Sequence, residues 1–422
     1  MKATILTIGD EILIGQTIDT NSGWMAEKLK DIGIEVTEII TISDQKSQIV
    51  TTLDRIVGKT DLILTTGGLG PTEDDRTKAT LATYFGTELV LNEIILERIR
   101  KMYERRGRVM TQEGAQVAYV PKDFPITINE KGTAPALWFG KDGTQLIAMP
   151  GVPYEMKHFM TTEIIPSLRK KMPTNLAFYH KTLMVAGQGE TTVSATIKEV
   201  LDTLPPQISI AYLPSLGVLR LRITGKGDDP ELIKTAVDMA VLKIDEKIAP
   251  WVYGYDGKLL EVALGEMLLE RKATLGIAES CTGGAVAARV VSVPGSSAYF
   301  EGGVVAYSNK IKEQLLGVKS DTIEENGAVS DAVVKAMAQG MIEKFDVDYA
   351  IATSGIAGPT GGTPAKPVGT IWVAIASKTD VFTKKYQLTN HRDINIGLTV
   401  NMAMNDLRRF LVKEEKVAIA SS

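Results

Sequence analysis

The stretch Ala278-Glu279-Ser280-Cys281-Thr282-Gly283-Gly284 decides how we interpret the carboxyl-terminal part of this 422-residue chain. It follows a short uncharged run, residues 274–278, that predicts a buried strand, and it precedes a small-residue run, residues 285–291, that predicts a helix. A strand that enters a helix through a hydroxyl and two glycines makes a tight turn. We therefore expect Ser280 at the carboxyl end of a strand, beside the first N–H groups of a helix.

A second interpretation of the same turn is that Ser280 or Thr282 only caps the helix. Ser and Thr are favoured at helix starts because the side-chain oxygen accepts a hydrogen bond from an otherwise unpaired N–H. Capping hydroxyls are far commoner than catalytic ones. The choice therefore depends on the other residues of the same domain.

The composition excludes several classes of protein. The chain has 47 Lys and Arg against 51 Asp and Glu, a formal charge of -4, so there is no basic surplus that would favour a nucleic-acid partner. Cys281 is the only cysteine of the sequence, which excludes an intrachain disulfide and a Cys-rich metal cluster and is typical of a reducing compartment. The first residues resemble neither a signal sequence nor a membrane span. We predict a soluble, cytoplasmic protein.

Histidine is also scarce. The sequence contains His158, His180 and His391, too scattered for a His-rich zinc site. A Ser-His-Asp triad in the last domain would have to use His391. A serine nucleophile here needs another base.

The length suggests three domains. In the first, about residues 1–170, apolar runs alternate with amphipathic ones, which predicts a parallel sheet wrapped by helices with ligands at the carboxyl ends of its strands. The predicted strands are 3–8, 34–42 and 61–65, and the predicted helices are 19–30 and 46–58.

The third predicted strand ends in a glycine-rich loop, residues 65–77. Backbone N–H groups of Gly67, Gly68 and Gly70 can approach a phosphate, and the adjacent carboxylates of Asp74 and Asp75 can hold a hard cation such as Mg²⁺. Phosphate with metal is the pairing that a pyrophosphate substrate needs. The alternative is a glycine-rich turn in which the two aspartates cap the next helix.

The middle segment, about residues 171–252, follows a basic, proline-bounded connector at 166–173. Its order β-α-β-β-α predicts a small two-layer module. We expect an exposed basic row of Arg220, Arg222 and Lys226, and a KH-like nucleic-acid role is conceivable. Because a GxxG loop is absent between the predicted helices, we interpret the module as a spacer or dimerisation element.

The last domain, about residues 257–413, supplies partners for Ser280. A predicted strand at 304–307 leads to a helix that Asn309 is expected to cap, so that Tyr307 and Lys312 flank one strand end. A lysine whose pKa is lowered by burial, or a tyrosine hydroxyl that relays a proton to it, can replace histidine as the base. A long Gly/Pro loop at 353–370 is expected to close the site.

The first domain resembles the molybdopterin-binding fold, because Asp75 and Thr77 match the end of that family's Gly-Gly loop, although Leu69 and the acidic pair depart from it. More narrowly, the chain resembles the CinA family, the competence/damage-inducible proteins. The motifs are Gly9-Asp10-Glu11, Asp19-Thr20-Asn21, Lys131-Gly132-Thr133-Ala134-Pro135 and Met149-Pro150-Gly151-Val152-Pro153. The resemblance implies that this domain hydrolyses ADP-ribose with a divalent metal, held first by Asp75 and second by Asp74, with the 67–70 backbone on phosphate.

The last domain resembles the carboxyl-terminal domain of the CinA family, the nicotinamide mononucleotide (NMN) deamidases. This resemblance implies Ser280 as nucleophile, with Tyr307 and Lys312 as activating partners and no cofactor. Cys281 is the alternative nucleophile, and Ala365 is a departure where the family often has an acidic residue. The candidate substrate-binding residues are Thr282, Gly283, Gly284, Asn309, Ser354, Gly355 and Gly358.

We therefore predict an α/β protein of three domains that deamidates NMN and hydrolyses ADP-ribose, and we expect a homodimer. The alternative is a binding protein with an inert molybdopterin-like domain, acting through partners in competence or DNA repair.

Overall fold

The computed structural model describes residues 1–72, 75–171 and 177–421 of the chain. The chain forms two compact units, Met1–Phe178 and Tyr179–Ser422. Among the described residues, no helix is both long and apolar enough to cross a membrane.

The first unit alternates strands and helices, as predicted. Its elements are β1 (Lys2–Ile8), α1 (Asp10–Leu13), α2 (Thr20–Lys30), β2 (Glu35–Ile42), α3 (Lys46–Ile56), β3 (Leu62–Thr66), α4 (Thr77–Phe85), β4 (Leu89–Leu91), α5 (Glu93–Arg105), α6 (Gln112–Gln116), β5 (Tyr119–Pro121), β6 (Ile126–Thr127), β7 (Ala136–Lys141), β8 (Thr144–Met149), α7 (Pro153–Phe159), a π-helical turn (Met160–Ile164) and α8 (Ile165–Lys171). The predicted connector at 166–173 is therefore helical up to Lys171. Pro173 lies outside the described residues.

The sheet of the first unit has the order β2-β1-β3-β8-β7-β6. The strands β2, β1, β3 and β8 are parallel, as predicted, but β7 runs antiparallel to both of its neighbours, β8 and β6. The reversal comes from the Asp142-Gly143 turn, where both residues have positive φ (50° and 79°) and Lys141 pairs with Thr144. That conformation matches the twist of a two-residue hairpin. Two apolar cores cover the faces of this sheet.

The second unit begins with the small module. Its elements are β9 (Ala177–Ala186), α9 (Glu190–Leu201), β10 (Ile208–Ser215), β11 (Val218–Gly227), α10 (Pro230–Ile248), a 3₁₀ turn (Ala249–Trp251) and β12 (Val252–Tyr255). The predicted β-α-β-β-α order is confirmed, and β12 adds a strand to give the sheet order β10-β11-β9-β12. Pro230 is the first residue of α10, and Asp229 caps it by accepting from Glu231 N and Leu232 N.

The rest of the second unit is a five-stranded sheet with helices on both faces. Its elements are α11 (Leu260–Arg271), β13 (Leu275–Glu279), α12 (Ala285–Val291), a 3₁₀ turn (Ser296–Ala298), β14 (Phe300–Val305), α13 (Asn309–Leu316), α14 (Ser320–Asn326), α15 (Asp331–Phe345), β15 (Tyr349–Gly355), β16 (Thr370–Ser377), β17 (Val381–Gln387) and α16 (Arg392–Ser421). The strand order is β14-β13-β15-β16-β17. One apolar core lies between the sheet and α11, α12 and α16, and a second lies under α13, α14 and α15.

The parallel pairing of β13 with β14 and β15 positions the candidate site. Glu279 at the end of β13 pairs with Val305 of β14 and with Thr353 of β15. The residues that follow these three strands therefore meet at one edge of the sheet.

Two predictions about side chains in this unit are wrong. The predicted exposed row on β11 is not exposed throughout, because Arg222 is buried. Arg222 belongs to β11, which is an inner strand of its sheet, between β10 and β9. The module also contacts α16: Asn401 donates to Leu216 O at 2.5 Å, and Arg408 donates to Val252 O at 3.1 Å. Asn309 does not cap α13; the cap is Ser308, whose Oγ accepts from Ile311 N.

Candidate active site

Ser280 lies at the carboxyl end of β13, as the sequence predicts. Its N–H donates to Thr353 O of β15 at 3.0 Å, which continues the strand pairing by one residue. The side chain is 9% exposed. The hydroxyl is therefore held at the edge of the sheet with little contact with water.

The side chain of Lys312, on α13, contacts Ser280 at the carboxyl end of β13. Its Nζ lies 3.1 Å from Ser280 Oγ, and it donates to Ala306 O at 2.8 Å and to Tyr307 O at 3.2 Å. The lysine is only 1% exposed. Burial lowers the pKa of Lys312, because an ammonium loses its hydration there, and the neighbouring Cys281 opposes part of this shift.

Lys312 Nζ donates to three acceptors, the Ser280 hydroxyl and two backbone carbonyls, which match the three N–H bonds of an ammonium. When the lysine gives up the proton directed at Ser280, the two carbonyls still accept its remaining protons and its lone pair faces the Ser280 hydroxyl. A lysine in this state can take the proton of a serine nucleophile.

Glu279 caps α12, a role that the sequence analysis assigned to Ser280 or Thr282. Its carboxylate accepts from Gly284 N at 3.0 Å, Val286 N at 3.1 Å and Ala287 N at 2.8 Å. The expectation that Gly283 and Gly284 offer free helix-start N–H groups to a substrate phosphate is therefore wrong for Gly284. The N–H of Gly283 donates to Ser280 O at 3.2 Å.

Tyr307 follows β14, but its hydroxyl does not reach the Ser280–Lys312 pair. The side chain is 61% exposed, and its oxygen lies 3.4 Å from Arg392 Nη2. Only the backbone carbonyl of Tyr307 touches Lys312. The Tyr307 hydroxyl therefore lies beside Arg392 at the exposed edge of the site, which we call the rim.

Arg392, the first residue of α16, is a rim residue that the sequence analysis missed. Besides Tyr307, its guanidinium donates to Gly358 O in the 353–370 loop at 3.0 Å. It is exposed. A guanidinium at this place offers charge and a planar set of donors to an anion such as a phosphate.

Cys281 is placed as a core residue. It is buried within the apolar core on the α12 side of the sheet, and burial raises the pKa of its thiol to about 12. The thiolate is the reactive form of cysteine. A thiol that stays protonated in an apolar core is inert, so the geometry favours Ser280 over Cys281 as nucleophile.

The other predicted binding residues differ in availability. The Thr282 hydroxyl is hydrogen-bonded to the Thr353 hydroxyl at 2.7 Å in the interior. Ser354 Oγ donates to Ala328 O at 2.7 Å. The predicted binding residues Thr282 and Ser354 therefore make hydrogen bonds that stabilise the fold. Gly355 ends β15, and Gly358 offers its carbonyl to Arg392. Asn309 is exposed at the first residue of α13.

His391 does not supply the base that a Ser-His-Asp triad would need. Its backbone N–H donates to Thr389 Oγ1 at 3.1 Å, and the side chain is exposed. Among the described residues, the titratable side chain that contacts Ser280 is Lys312.

The first unit contains a separate cavity of about 390 Å³ at the carboxyl ends of its parallel strands. The predicted glycines Gly67, Gly68 and Gly70 line it together with Asp75. Gly67 cannot be replaced without moving the backbone, because a Cβ at its φ of 106° would lie 1.9 Å from Ile8 O. The predicted loop and its aspartate are thus brought together.

The ionisable side chains that line this cavity are acidic. Its described lining includes the carboxylates Glu11, Asp44, Asp75 and Glu155 and contains no Lys, Arg or His. The sequence analysis missed Glu155, a buried carboxylate that accepts from Asn129 Nδ2 at 2.6 Å. A phosphate could enter this cavity only with a cation to offset the negative charge.

The predicted metal ligand Asp75 already makes hydrogen bonds within its own loop. Asp75 Oδ2 accepts from Thr72 N at 3.0 Å and from Thr72 Oγ1 at 2.5 Å, so this oxygen is already hydrogen-bonded to Thr72. Asp74 lies outside the described residues. Among the residues described, no group of three or more His, Cys, Asp or Glu is placed to hold an ion. The acidic cavity suits an ion of the Mg²⁺ type, which needs only one or two carboxylates when phosphates supply other ligands.

Several known proteins align with nearly the whole length of this chain. A "CinA-like protein" of Cytophaga hutchinsonii is 42% identical over 98% of this chain and 99% of its own length. The "CinA-like protein" of Flavobacterium psychrophilum is 41% identical over 98% of this chain and 99% of its own length. The chain belongs to the CinA family. A "competence-damage inducible protein" of Halothermothrix orenii is 38% identical over 97% of this chain and 99% of its own length.

Three family profiles match the CinA chain in succession. Residues 4–170 match a probable molybdopterin binding domain, residues 180–254 match the KH domain of the damage-inducible protein CinA, and residues 258–411 match the CinA carboxyl-terminal domain. The predicted family and fold class are confirmed. The middle module, which we interpreted as a spacer or dimerisation element, is of the KH type by this comparison.

Proposed function

We propose that the carboxyl-terminal domain of this CinA protein deamidates NMN to nicotinate mononucleotide and ammonia. The observation that carries the proposal is the position of Lys312 Nζ, 3.1 Å from Ser280 Oγ with two backbone carbonyls to accept its protons. An amide hydrolase needs a nucleophile and a base that is neutral at the working pH. The buried Ser–Lys pair supplies both groups, and burial lowers the pKa of Lys312, which is the direction that a base requires.

The reaction follows from this pair in two halves. Ser280 Oγ attacks the carboxamide carbon while its proton moves to Lys312 Nζ. The tetrahedral intermediate collapses when the lysine returns that proton to the leaving nitrogen, so that ammonia departs and an ester to Ser280 remains. Water then attacks the ester, Lys312 takes the water proton and returns it to Ser280 Oγ, and the carboxylate product is released. One water is consumed for each ammonia.

The substrate phosphate is assigned to the rim of the site. The α12 N–H groups of Gly284, Val286 and Ala287 are already occupied by Glu279. Arg392 is the cation at the strand edge where the 353–370 loop and Tyr307 meet. A guanidinium can form paired hydrogen bonds with a phosphate, which fixes the orientation of the nucleotide.

The test measures ammonia release from NMN by the purified chain and by two neighbouring variants. Ser280→Ala removes the nucleophile and is expected to abolish turnover. Cys281→Ala is the matched control, since it changes the next side chain in the sequence, and it is expected to retain turnover. An active Ser280→Ala protein, or an inactive but folded Cys281→Ala protein, would reject the assignment of the nucleophile.

A second activity, hydrolysis of ADP-ribose by the first unit, is proposed from a separate observation. The cavity at residues 67–70 has a glycine-rich wall that can contact phosphates. Four carboxylates also line it, so a negatively charged diphosphate can bind there only together with cations. Asp75 is the residue that would share a Mg²⁺-type ion with the phosphates. When bound, the ion supplies charge neutralisation to the diphosphate.

The ADP-ribose proposal is tested on the same protein preparation. Cleavage is measured with Mg²⁺, with chelator, and in the Asp75→Asn and Ser280→Ala variants. We expect Asp75→Asn and the chelator to remove ADP-ribose cleavage while Ser280→Ala leaves it intact. A purified chain that acts on neither nucleotide would favour the alternative, a binding protein that works through partners.

A further inference from the structure

Glu279, the residue immediately before Ser280, is a buried carboxylate whose side-chain oxygens accept hydrogen bonds from the start of the helix that follows. It is 1% exposed. Its Oε2 accepts from Gly284 N and Val286 N, and its Oε1 accepts from Ala287 N at 2.8 Å. The first N–H groups of a helix have no partner inside the helix, so this one side chain satisfies three of them.

These contacts fix both ends of the turn that carries the serine. On one side Ser280 N is bonded to Thr353 O at 3.0 Å. On the other side Glu279 reaches over the turn and holds the start of α12, where Gly284 adopts a φ of 102° that brings its N–H to the carboxylate. The backbone of residues 280–284 is therefore clamped between the sheet and α12.

We propose that Glu279 is the positioning residue that holds Ser280 Oγ against Lys312. This inference rests on the proposed function of the Ser–Lys pair. Removal of the carboxylate would leave the three donors without an acceptor, which is unfavourable for Val286 N because this residue is buried, and for the half-buried Gly284 N and Ala287 N unless water replaces the carboxylate. The turn would have to shift to find water or another acceptor, and that shift would move the serine away from its base.

The two substitutions that test this role differ in how many acceptors they keep. Glu279→Ala removes all three acceptor contacts. In Glu279→Gln the amide oxygen can accept from Gly284 N and Val286 N, but its NH₂ group then faces Ala287 N–H, another donor. We therefore expect the loss in Gln to be smaller than the loss in Ala.

The experiment measures kcat and KM for ammonia release from NMN by the full chain. We expect kcat to fall by about 100-fold in Glu279→Ala, the size of effect that a misplacement near 1 Å produces. We expect KM to stay within about threefold, because a residue that makes no substrate contact does not change uniform binding. An unchanged KM separates a positioning role from a substrate contact, and circular dichroism checks that each variant is as fully folded as the parent.

Glu261→Ala is the matched control. Glu261 is another buried carboxylate of the same domain, on α11, and its Oε1 lies 3.7 Å from Arg289 Nη1. Its removal is expected to leave kcat unchanged. If Glu279→Ala does not fold, the Gln variant carries the test. A parental kcat in a folded Glu279 variant, or a rise in KM with kcat unchanged, would overturn the proposal.

A second measurement separates this proposal from the proposed function. If the parent chain releases no ammonia from NMN, the deamidase assignment fails. The rate at which a fluorophosphonate modifies Ser280, followed by intact mass, then reports the reactivity of the hydroxyl without any substrate. Slower modification in Glu279→Ala but not in Glu261→Ala supports the positioning role, and equal rates in all three proteins refute it.

Discussion

Replacement of Lys312 by methionine tests whether the buried amine is the base. The substitution keeps an unbranched side chain at a position that is 1% exposed, and it removes the Nζ that lies 3.1 Å from Ser280 Oγ. Proton transfer by a positioned base contributes about 10²–10⁴-fold to a rate. Since each tenfold corresponds to 1.36 kcal/mol, we expect the activation barrier to rise by about 3–5 kcal/mol.

The double variant Ser280→Ala with Lys312→Met shows whether the two residues act as one unit. Both single substitutions abolish the same proton transfer, so the double variant is expected to be no slower than the slower single variant. Lys312→Arg is a second control, because a guanidinium keeps its charge at all working pH values and cannot accept the serine proton. We expect the Arg variant to be as inactive as the Met variant.

The assay is the initial rate of ammonia release from NMN, measured between pH 6 and pH 10, a range centred on about the pH at which perturbed lysines titrate in active sites. For the parent protein kcat/KM is expected to rise with pH as Lys312 loses its proton and to reach a plateau below the ordinary lysine pKa of 10.5, because burial lowers the pKa of Lys312. A Lys312→Met protein that keeps more than about a tenth of the parental rate, or that keeps the same pH dependence, would refute lysine as the base.

Three further predictions concern the same domain. Tyr307→Phe is expected to retain the parental kcat within about threefold, because the hydroxyl lies against Arg392 and does not touch the Ser–Lys pair; a larger fall would show that the tyrosine moves inward with substrate. Arg392→Ala is expected to raise KM for NMN by about ten- to a hundredfold, the value of a charge-assisted hydrogen bond, and to leave phosphate-free amide substrates unaffected; an unchanged KM would place the phosphate elsewhere. The lowered pKa of Lys312 means that the unfolded chain binds more protons than the folded one between the folded-state pKa and 10.5. The free energy of unfolding, measured with urea, should therefore rise with pH in that window, and this increment should be absent from Lys312→Met.

Local patterns in the sequence were sufficient to predict where Ser280 lies. The uncharged run before it and the two glycines after it encode strand, turn and helix from neighbouring residues, and the structure has β13 and α12 at these places. Lys312 was within reach of prediction for a similar reason. Parallel strands place their carboxyl ends at one edge, so a residue just beyond β14 had to lie near the end of β13.

The directions of the side chains were decided by tertiary contacts. The local sequence did not predict that Glu279 would accept hydrogen bonds from the first N–H groups of α12. A carboxylate at the end of a strand is equally compatible with exposure to solvent. Tyr307 points to Arg392, which is 85 residues away in the chain and reaches the rim only because α16 starts there. Likewise Arg222 was predicted to be exposed from strand alternation, and it is buried in the folded protein.

The sequence by itself therefore determined the elements, their order and the polar residues at each strand end, because these depend on hydrophobic periodicity and turn chemistry within a few residues. Only the tertiary structure decided which of those polar groups are buried, which are already hydrogen-bonded and which face a ligand. Burial and pairing depend on residues far apart in the chain. In this protein they make Lys312 a candidate base, close the helix start at Glu279 and leave Arg392 open at the rim.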